Sequence, residues 1–350
     1  MRERASPPNA PTPRATEERS IRRASGTRRI DPRFLAAADG PRTAGQQAAQ
    51  PAAVAPAPAA ARLQLSVRPG AATLLVGPAS AEILPALMAA VSFADARVTT
   101  VAQHSDAESG SCFQRIALSL LPGTGASSTL ERRLNSLACS AALSFSVSRW
   151  ERPRRVALFV SKYDHCLRDL LLRQRAGELD CEIPVIVSNH PDLAPIARQF
   201  GVEYELIGKR AEAKSAAEAR EQELLESRSI DLVVLARYMQ ILSSDFTARW
   251  AGRVINIHHS LLPAFVGAKP YHQAWQRGVK LIGATAHYAT AELDQGPIIE
   301  QEVARCTHED TVEDLVRKGR DLERLVLARA VRWHLSDRVL IHAGRTIVFS

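Results

Sequence analysis

The sequence is short of several things, and each shortage excludes a class. It has five cysteines (Cys112, Cys139, Cys166, Cys181, Cys306), none in a CxxC pair. That is poor material for a zinc site or a disulfide framework, and it suits a reducing compartment. No run of 18 or more apolar residues occurs, and the N-terminus lacks the basic-then-apolar layout of a secretory signal. A cytoplasmic protein with no membrane partner is expected. No HExxH pair is present, and where a dinucleotide fold would place GxGxxG after its first strand the chain has Ser161-Lys-Tyr-Asp-His-Cys166. Nicotinamide chemistry therefore loses its main support.

What is there fits two domains and an extension, since the chain has 350 residues of which 46% are hydrophobic. Residues 1–61 are rich in Ala, Pro, Arg and Ser, hold nine of the twenty prolines, and read as a disordered extension. A transit peptide, a nucleic-acid arm or a translation start set too far upstream are alternatives left open for it. Between Met1 and Arg62 eleven arginines face five acids, so this stretch holds +6 of the net charge of +8 and leaves +2 for the rest. A nearly balanced remainder argues against nucleic acid as the main partner.

From about residue 70 to 150 the pattern predicts a βαββαβ order. Its strands are Ala72–Val76, Arg97–Ala102, Cys112–Leu118 and Leu143–Val147, and its helices are Ala81–Ala94 and Ser128–Leu137. That order is a small ferredoxin-like α+β domain. A charged linker, Glu151–Arg155, precedes a second domain over 155–350. There the strands Val156–Val160, Pro184–Ser188, Glu203–Leu206, Asp231–Leu235, Arg253–Ile257, Leu281–Tyr288 and Ile298–Val303 alternate with helices. The fold class is α/β, with an open, mostly parallel sheet. A closing helix is expected to start at the capping-box pattern Thr307-His-Glu-Asp310.

Three polar features could carry chemistry. Asn256-Ile-His-His-Ser260 follows a strand, and strand alternation sends Asn256 and His258 to one side. Strand carboxyl ends are where ligands sit in open α/β sheets. An amide and an imidazole there could share an oxygen, or simply satisfy loop backbone. Adjacent side chains on an extended strand diverge, so a metal held by His258 and His259 is not expected. Asp294, ahead of a Gly-Pro turn, is either a turn residue or a carboxylate that raises an imidazole's proton affinity. Leu235-Ala-Arg-Tyr-Met-Gln-Ile-Leu242 is either a helix start or a slot for a flat ring.

Taken together, Asn256-Ile-His258 and Leu293-Asp-Gln-Gly-Pro297 resemble the signature of the folate-dependent formyl-transfer family. The runs 256–274, 283–301, 161–171, 237–242 and 319–323 are similar to those of its formyltetrahydrofolate deformylases, and the resemblance covers about residues 70–350. It implies a formyltransferase-type catalytic domain preceded by an ACT domain, clearest at Val101–Asp106 and Gly110–Arg115. The ACT turn that often helps bind an amino acid, Asp-x-Pro-Gly in the family, is replaced by Gly77-Pro-Ala-Ser-Ala81. Ser161-Lys-Tyr-Asp164 stands in place of the Gly-rich phosphate loop of glycinamide ribonucleotide transformylases, and His259 in place of their proline. The chain stops at Ser350, where methionyl-tRNA formyltransferases append an RNA-binding domain.

The resemblance therefore implies a hydrolase that takes 10-formyltetrahydrofolate and water to formate and tetrahydrofolate, supplying formate for purine (IMP) synthesis within one-carbon metabolism. It needs neither cofactor nor metal. Asn256 and protonated His258 are implied to donate to the tetrahedral oxyanion, and Asp294 to hold and activate the attacking water, keep His258 charged and help return a proton to N10. Folate binding falls to Arg237, Tyr238, Met239, Ile241, Leu242 and His287. A homo-oligomer and an amino-acid effector at the ACT unit are implied as partners. The rivals from other classes are a transferase to an amine and a non-catalytic amino-acid sensor.

Overall fold

The computed structural model describes residues 61–121, 125–208, 214–263 and 270–350. The expected extension lies outside these, apart from its last residue, and so does part of the 256–274 motif. The first sheet begins earlier than expected, with β1 (Arg62–Arg68) turning at Gly70 into β2 (Ala71–Ala79). Then follow α1 (Ile83–Ser92), β3 (Ala96–Ser105), β4 (Cys112–Leu120), α2 (Ala126–Ser140) and β5 (Ser144–Arg149). The sheet order is β3-β4-β2-β1-β5, with β1 antiparallel to β2 and parallel to β5.

The four expected strands are present, but β1 is wedged between β2 and β5. Its inward positions Leu63 and Leu65 are fully buried against Leu87 of α1 and Leu130 and Leu134 of α2. Two leucines directly behind an Ala/Pro run give too short an alternation to read as a strand. Only the pairing on both edges makes it one.

The second sheet opens with β6 (Arg154–Val160), so the expected linker shrinks: Arg154 is already a buried strand residue. The order continues α3 (His165–Arg175), β7 (Cys181–Ser188), α4 (Ala194–Phe200), β8 (Glu203–Leu206), α5 (Lys214–Ser227) and β9 (Leu232–Leu235). After these come α6 (Ser244–Arg249), β10 (Val254–His258), α7 (Pro270–Gln276), β11 (Leu281–Tyr288), β12 (Ile298–Arg305), α8 (Val312–Leu335) and the hairpin β13 (Val339–His342) and β14 (Arg345–Val348). Strands run β12-β11-β10-β9-β6-β7-β8. The five from β10 to β8 are parallel, β11 runs against them, and β12, antiparallel to β11, runs with them at the edge.

Both faces of the sheet are covered, as a largely parallel sheet requires. Val156, Leu158 and Val160 pack with Leu167, Leu170 and Val326 of α3 and α8. Ala157 and Phe159 pack on the other face with Leu225 of α5 and Phe246 of α6. The short helices α6 and α7 were not expected, because six or seven residues carry too little periodicity to read.

The capping box of α8 is one turn later than expected. Thr311 Oγ1 accepts from the Asp314 amide at 3.2 Å, and the Asp314 carboxylate accepts from the Thr311 amide at 3.0 Å. Thr307 and Asp310 instead close a turn that Lys318 locks, its ammonium bonding the Asp310 carboxylate at 2.8 Å and the Arg305 carbonyl at 3.1 Å. At the other end of α8, Arg115 of β4 donates to the Ser336 and Asp337 carbonyls at 3.1 and 2.9 Å, and Arg154 to the His334 carbonyl at 2.9 Å. Cations at a helix C-terminus meet its orphan carbonyls and its partial negative charge. They also tie the first sheet to the second. No helix among the described residues is long and apolar enough to cross a membrane.

Candidate active site

In β10 the core residues Ile255 and Ile257 face α8, which sends Asn256 and His258 to the opposite side. Their cross-strand neighbours on β11 are His287 and Thr285. The strand ends there, and the side chains open into a cavity of about 600 Å³. Asp294 reaches the same cavity from the β11–β12 loop. Its φ of 58° is a left-handed conformation that aspartate tolerates better than most residues. The turn behind it needs Gly296, because a Cβ there would overlap the Tyr288 carbonyl.

The hydrogen bonds fix the tautomers. His287 Nδ1 lies 3.0 Å from the Tyr288 carbonyl, which can only accept, so Nδ1 carries the proton. Its Nε2 then accepts from the Asn256 amide nitrogen at 3.1 Å. This orients Asn256 with its remaining N–H free to donate. His258 Nδ1 sits 3.3 Å from Asp294 Oδ2, while His287 Nε2, at 3.7 Å from Oδ1, only touches the carboxylate. The opposite nitrogen of His258, Nε2, is buried without a hydrogen-bond partner. The His258 hydrogen bond holds the Asp294 carboxyl well below the usual range against the upward push of burial. A carboxylate so held stays ionised and anchors an imidazole well.

All nine residues predicted for the site line this one cavity. Several do so differently from the expectation. His287 has both ring nitrogens engaged within the protein, one on the Asn256 amide and one on the Tyr288 carbonyl. The Tyr238 hydroxyl donates to Glu221 at 2.8 Å and its ring packs edge-on to Phe159, which leaves its backbone to face the cavity. The Arg237 guanidinium turns toward Glu323, with Nε 3.4 Å from Oε2. Met239 and Ile241 are exposed, and the Met239 amide is pinned by Ser161 Oγ at 3.0 Å. The segment between β9 and α6 is thus an apolar loop and not a helix start.

The adjacent histidines do not diverge either. The chain bends after His258, and the rings of His258 and His259 stand 5.2 Å apart at 67°. Burial, then the charge of Arg237, lowers His259 to about 4.

The other end of the cavity holds residues that were not assigned a role. Glu323 of α8 accepts from the Tyr271 hydroxyl at 2.8 Å on Oε1 and meets His165 Nε2 at 2.7 Å on Oε2. Burial pushes this carboxyl up, but the His165 hydrogen bond and the Arg237 charge outweigh it and keep it low. Gly319 makes room for the Tyr271 hydroxyl, which a Cβ would overlap. His165 and Glu323 lie in two of the motifs noted above, 161–171 and 319–323, which is the one signal that could have found them. With Cys166 they form a group whose ligand atoms lie within 4.8 Å of one another. It suits a cation badly: Arg237 shares the carboxylate, and burial pushes the Cys166 thiol far up.

The arrangement offers N–H donors beside an ionised carboxylate and an unpaired imidazole nitrogen, next to an apolar loop. That combination suits stabilising an oxyanion on a planar ligand. Comparison with known proteins agrees. Residues 154–331 match the formyl transferase family model. The chain is 53% identical over 248 residues to a formyltetrahydrofolate deformylase of Synechocystis sp., covering 71% of this chain and 87% of that one. It is 50% identical over 271 residues to one of Mycobacterium tuberculosis, covering 76% and 87%. The crystal structure of a formyltetrahydrofolate deformylase from Pseudomonas syringae pv. tomato superposes with a TM-score of 0.74 at 41% identity, over 79% of this chain and 93% of that one.

Proposed function

This chain belongs to the formyltetrahydrofolate deformylase family, and from that premise we propose how its cavity hydrolyses 10-formyltetrahydrofolate to formate and tetrahydrofolate. The formyl group on N10 is an amide. Its hydrolysis passes through a tetrahedral oxyanion and must then expel a poor amine leaving group.

Asn256 and His258 are the oxyanion donors in this reading. The Asn256 amide donates the N–H that His287 leaves free. His258, held at Nδ1 by Asp294, donates from Nε2 as the imidazolium and later hands that proton to N10. Asp294 orients His258 and holds and activates the attacking water. Removing one such donor typically costs about 100- to 1000-fold in rate. The apolar loop Arg237, Tyr238, Met239, Ile241 and Leu242 holds the pterin through main-chain groups and the exposed Met239 and Ile241 side chains, with the 287–294 loop on the other side. No redox step occurs, so the reaction needs only substrate, water and these residues.

The observation that carries the reading is a buried, unpartnered His258 Nε2 beside Asn256 and Asp294 on the wall of one cavity. The first sheet is read as the ACT unit and as the seat of any amino-acid effector, and the protein as a cytoplasmic homo-oligomer. The test is formate release from 10-formyltetrahydrofolate without an amine acceptor. Asp294→Asn should still bind folate but lose turnover. Near-normal turnover in that variant removes Asp294 from the mechanism, and formate that appears only with an added amine makes the protein a transferase.

A further inference from the structure

Hydrolysis in this cavity makes two products, and the apolar loop accounts for one of them, tetrahydrofolate. The other, formate, is an anion at neutral pH, and it is set free beside the ionised carboxylate of Asp294. Like charges at close range repel. Formate therefore needs a cationic seat away from Asp294 to leave the reacting point while tetrahydrofolate is still bound.

Arg237 offers that seat. Its side chain is only 9% exposed, yet it lines the cavity. The backbone there is left-handed, with a φ of 66°, a strain of the kind that persists at ligand sites. Glu323 does not use up this cation. Tyr271 and His165 donate to its two oxygens at 2.8 and 2.7 Å, while Arg237 Nε, at 3.4 Å, makes an ion pair but no hydrogen bond. No hydrogen bond from any nitrogen of this guanidinium is found among the described residues. A buried guanidinium with unused N–H groups suits a planar carboxylate, which accepts two parallel bonds from it.

Two further groups extend the seat in opposite directions. Toward the reacting point stands His259, its ring 5.2 Å from that of His258 and its Nδ1 buried without a hydrogen-bond partner. Toward solvent, the Tyr163 ring has the Arg237 guanidinium 5.0 Å and the Arg320 guanidinium 6.0 Å from its centre. Arg320 lines the same cavity, is exposed on α8, and has no ion pair among the described residues.

We propose that the Arg237 guanidinium, with His259 Nδ1–H as a second donor, is the binding site of the product formate, and that Arg320 at the mouth draws the anion out ahead of tetrahydrofolate. This rests on the deformylase reading and gives its second product a place. Asn256, His258 and Asp294 keep their roles, and Arg237 acts only after the C–N10 bond has broken.

The test titrates carbon-13-labelled formate into the full chain by NMR, with and without saturating tetrahydrofolate, at constant ionic strength. Formate should bind saturably, and tetrahydrofolate should leave its Kd nearly unchanged. Arg237→Gln should weaken formate about 10- to 100-fold, as the loss of a charge-assisted contact does, and should weaken tetrahydrofolate much less. Arg237→Lys keeps the charge against Glu323 but not the forked contact, and should fall between. Arg320→Gln, on the surface, should cost about two-fold. Absence of formate binding to the unmutated chain overturns the proposal. So does displacement of formate by tetrahydrofolate, because Arg237 then serves the folate's own carboxylates. Equal losses of both ligands in the Arg237 variants overturn it too, because the side chain then only shapes the cavity. These first two results need no variant to fold. A chain that binds formate through Arg237 but releases none from 10-formyltetrahydrofolate overturns the deformylase reading instead.

Discussion

At one end of the cavity each oxygen of Glu323 has a partner: Tyr271 on one, and His165 with Arg237 on the other. At the other end His258 Nε2 and His259 Nδ1 are equally shut from bulk water and have none. The two ends share one chamber, and both gather imidazoles around a carboxylate. They differ in how far the protein satisfies its own polar groups: at the Glu323 end Arg237 Nε lacks a hydrogen bond but keeps its ion pair to Oε2, whereas the two imidazole nitrogens have neither. A buried polar group without a partner costs free energy, and such groups persist where a ligand supplies the missing bond. The Glu323 end therefore holds shape, and the Asn256 end is kept open for the reacting atoms.

Mutation can break that contrast. Glu323→Gln leaves Arg237 buried without its counter-charge and should cost about 3–5 kcal/mol of stability by urea unfolding. If stability holds while turnover vanishes, Glu323 belongs to the chemistry and the contrast fails. Asn256→Ala should do the reverse: a kcat about 100- to 1000-fold lower, with the unfolding midpoint nearly unchanged.

Acid sharpens the comparison. His259 and the half-buried His334, whose Nδ1 lies 2.8 Å from the Tyr288 hydroxyl, are both lowered to about 4, by burial first and then by arginine charge. The unfolded chain takes up protons at these positions from about pH 6.5 downward, before the folded chain does. Their contribution is full above that pH and is lost as pH falls through about 4. Stability should drop over this window, by about 3 kcal/mol for His334. His334→Gln should flatten the slope, and an unchanged slope would exclude His334 as its source. The smallest effect is at the cap of α8, where Thr311→Ala should cost about 1 kcal/mol and Thr307→Ala less, by thermal unfolding.

Strands β6, β7 and β9 of the second sheet were legible because they are rich in Val, Leu and Ile. Glu203–Leu206 and Leu281–Tyr288 match their expected limits. β1 was not legible, since its two buried leucines gain meaning only from pairing with β2 and β5. The capping pattern at Thr307 placed the start of α8 one turn early, because Lys318 of the helix itself locks that stretch as a turn. In the site, strand alternation was enough to put Asn256 and His258 on one face. It misjudged His259, because the bend after His258 ends the alternation.

What the sequence determined alone was the phase of each strand and helix and the side on which Asn256 and His258 fall, since both follow from the periodicity of neighbouring residues. The tertiary structure decided which distant groups meet them. His165 and Glu323 are 158 positions apart and touch because β6 lies mid-sheet and α8 packs across it. Asp294 meets His258 because β11 runs antiparallel beside β10. Such contacts depend on strand order, and no local spacing encodes strand order.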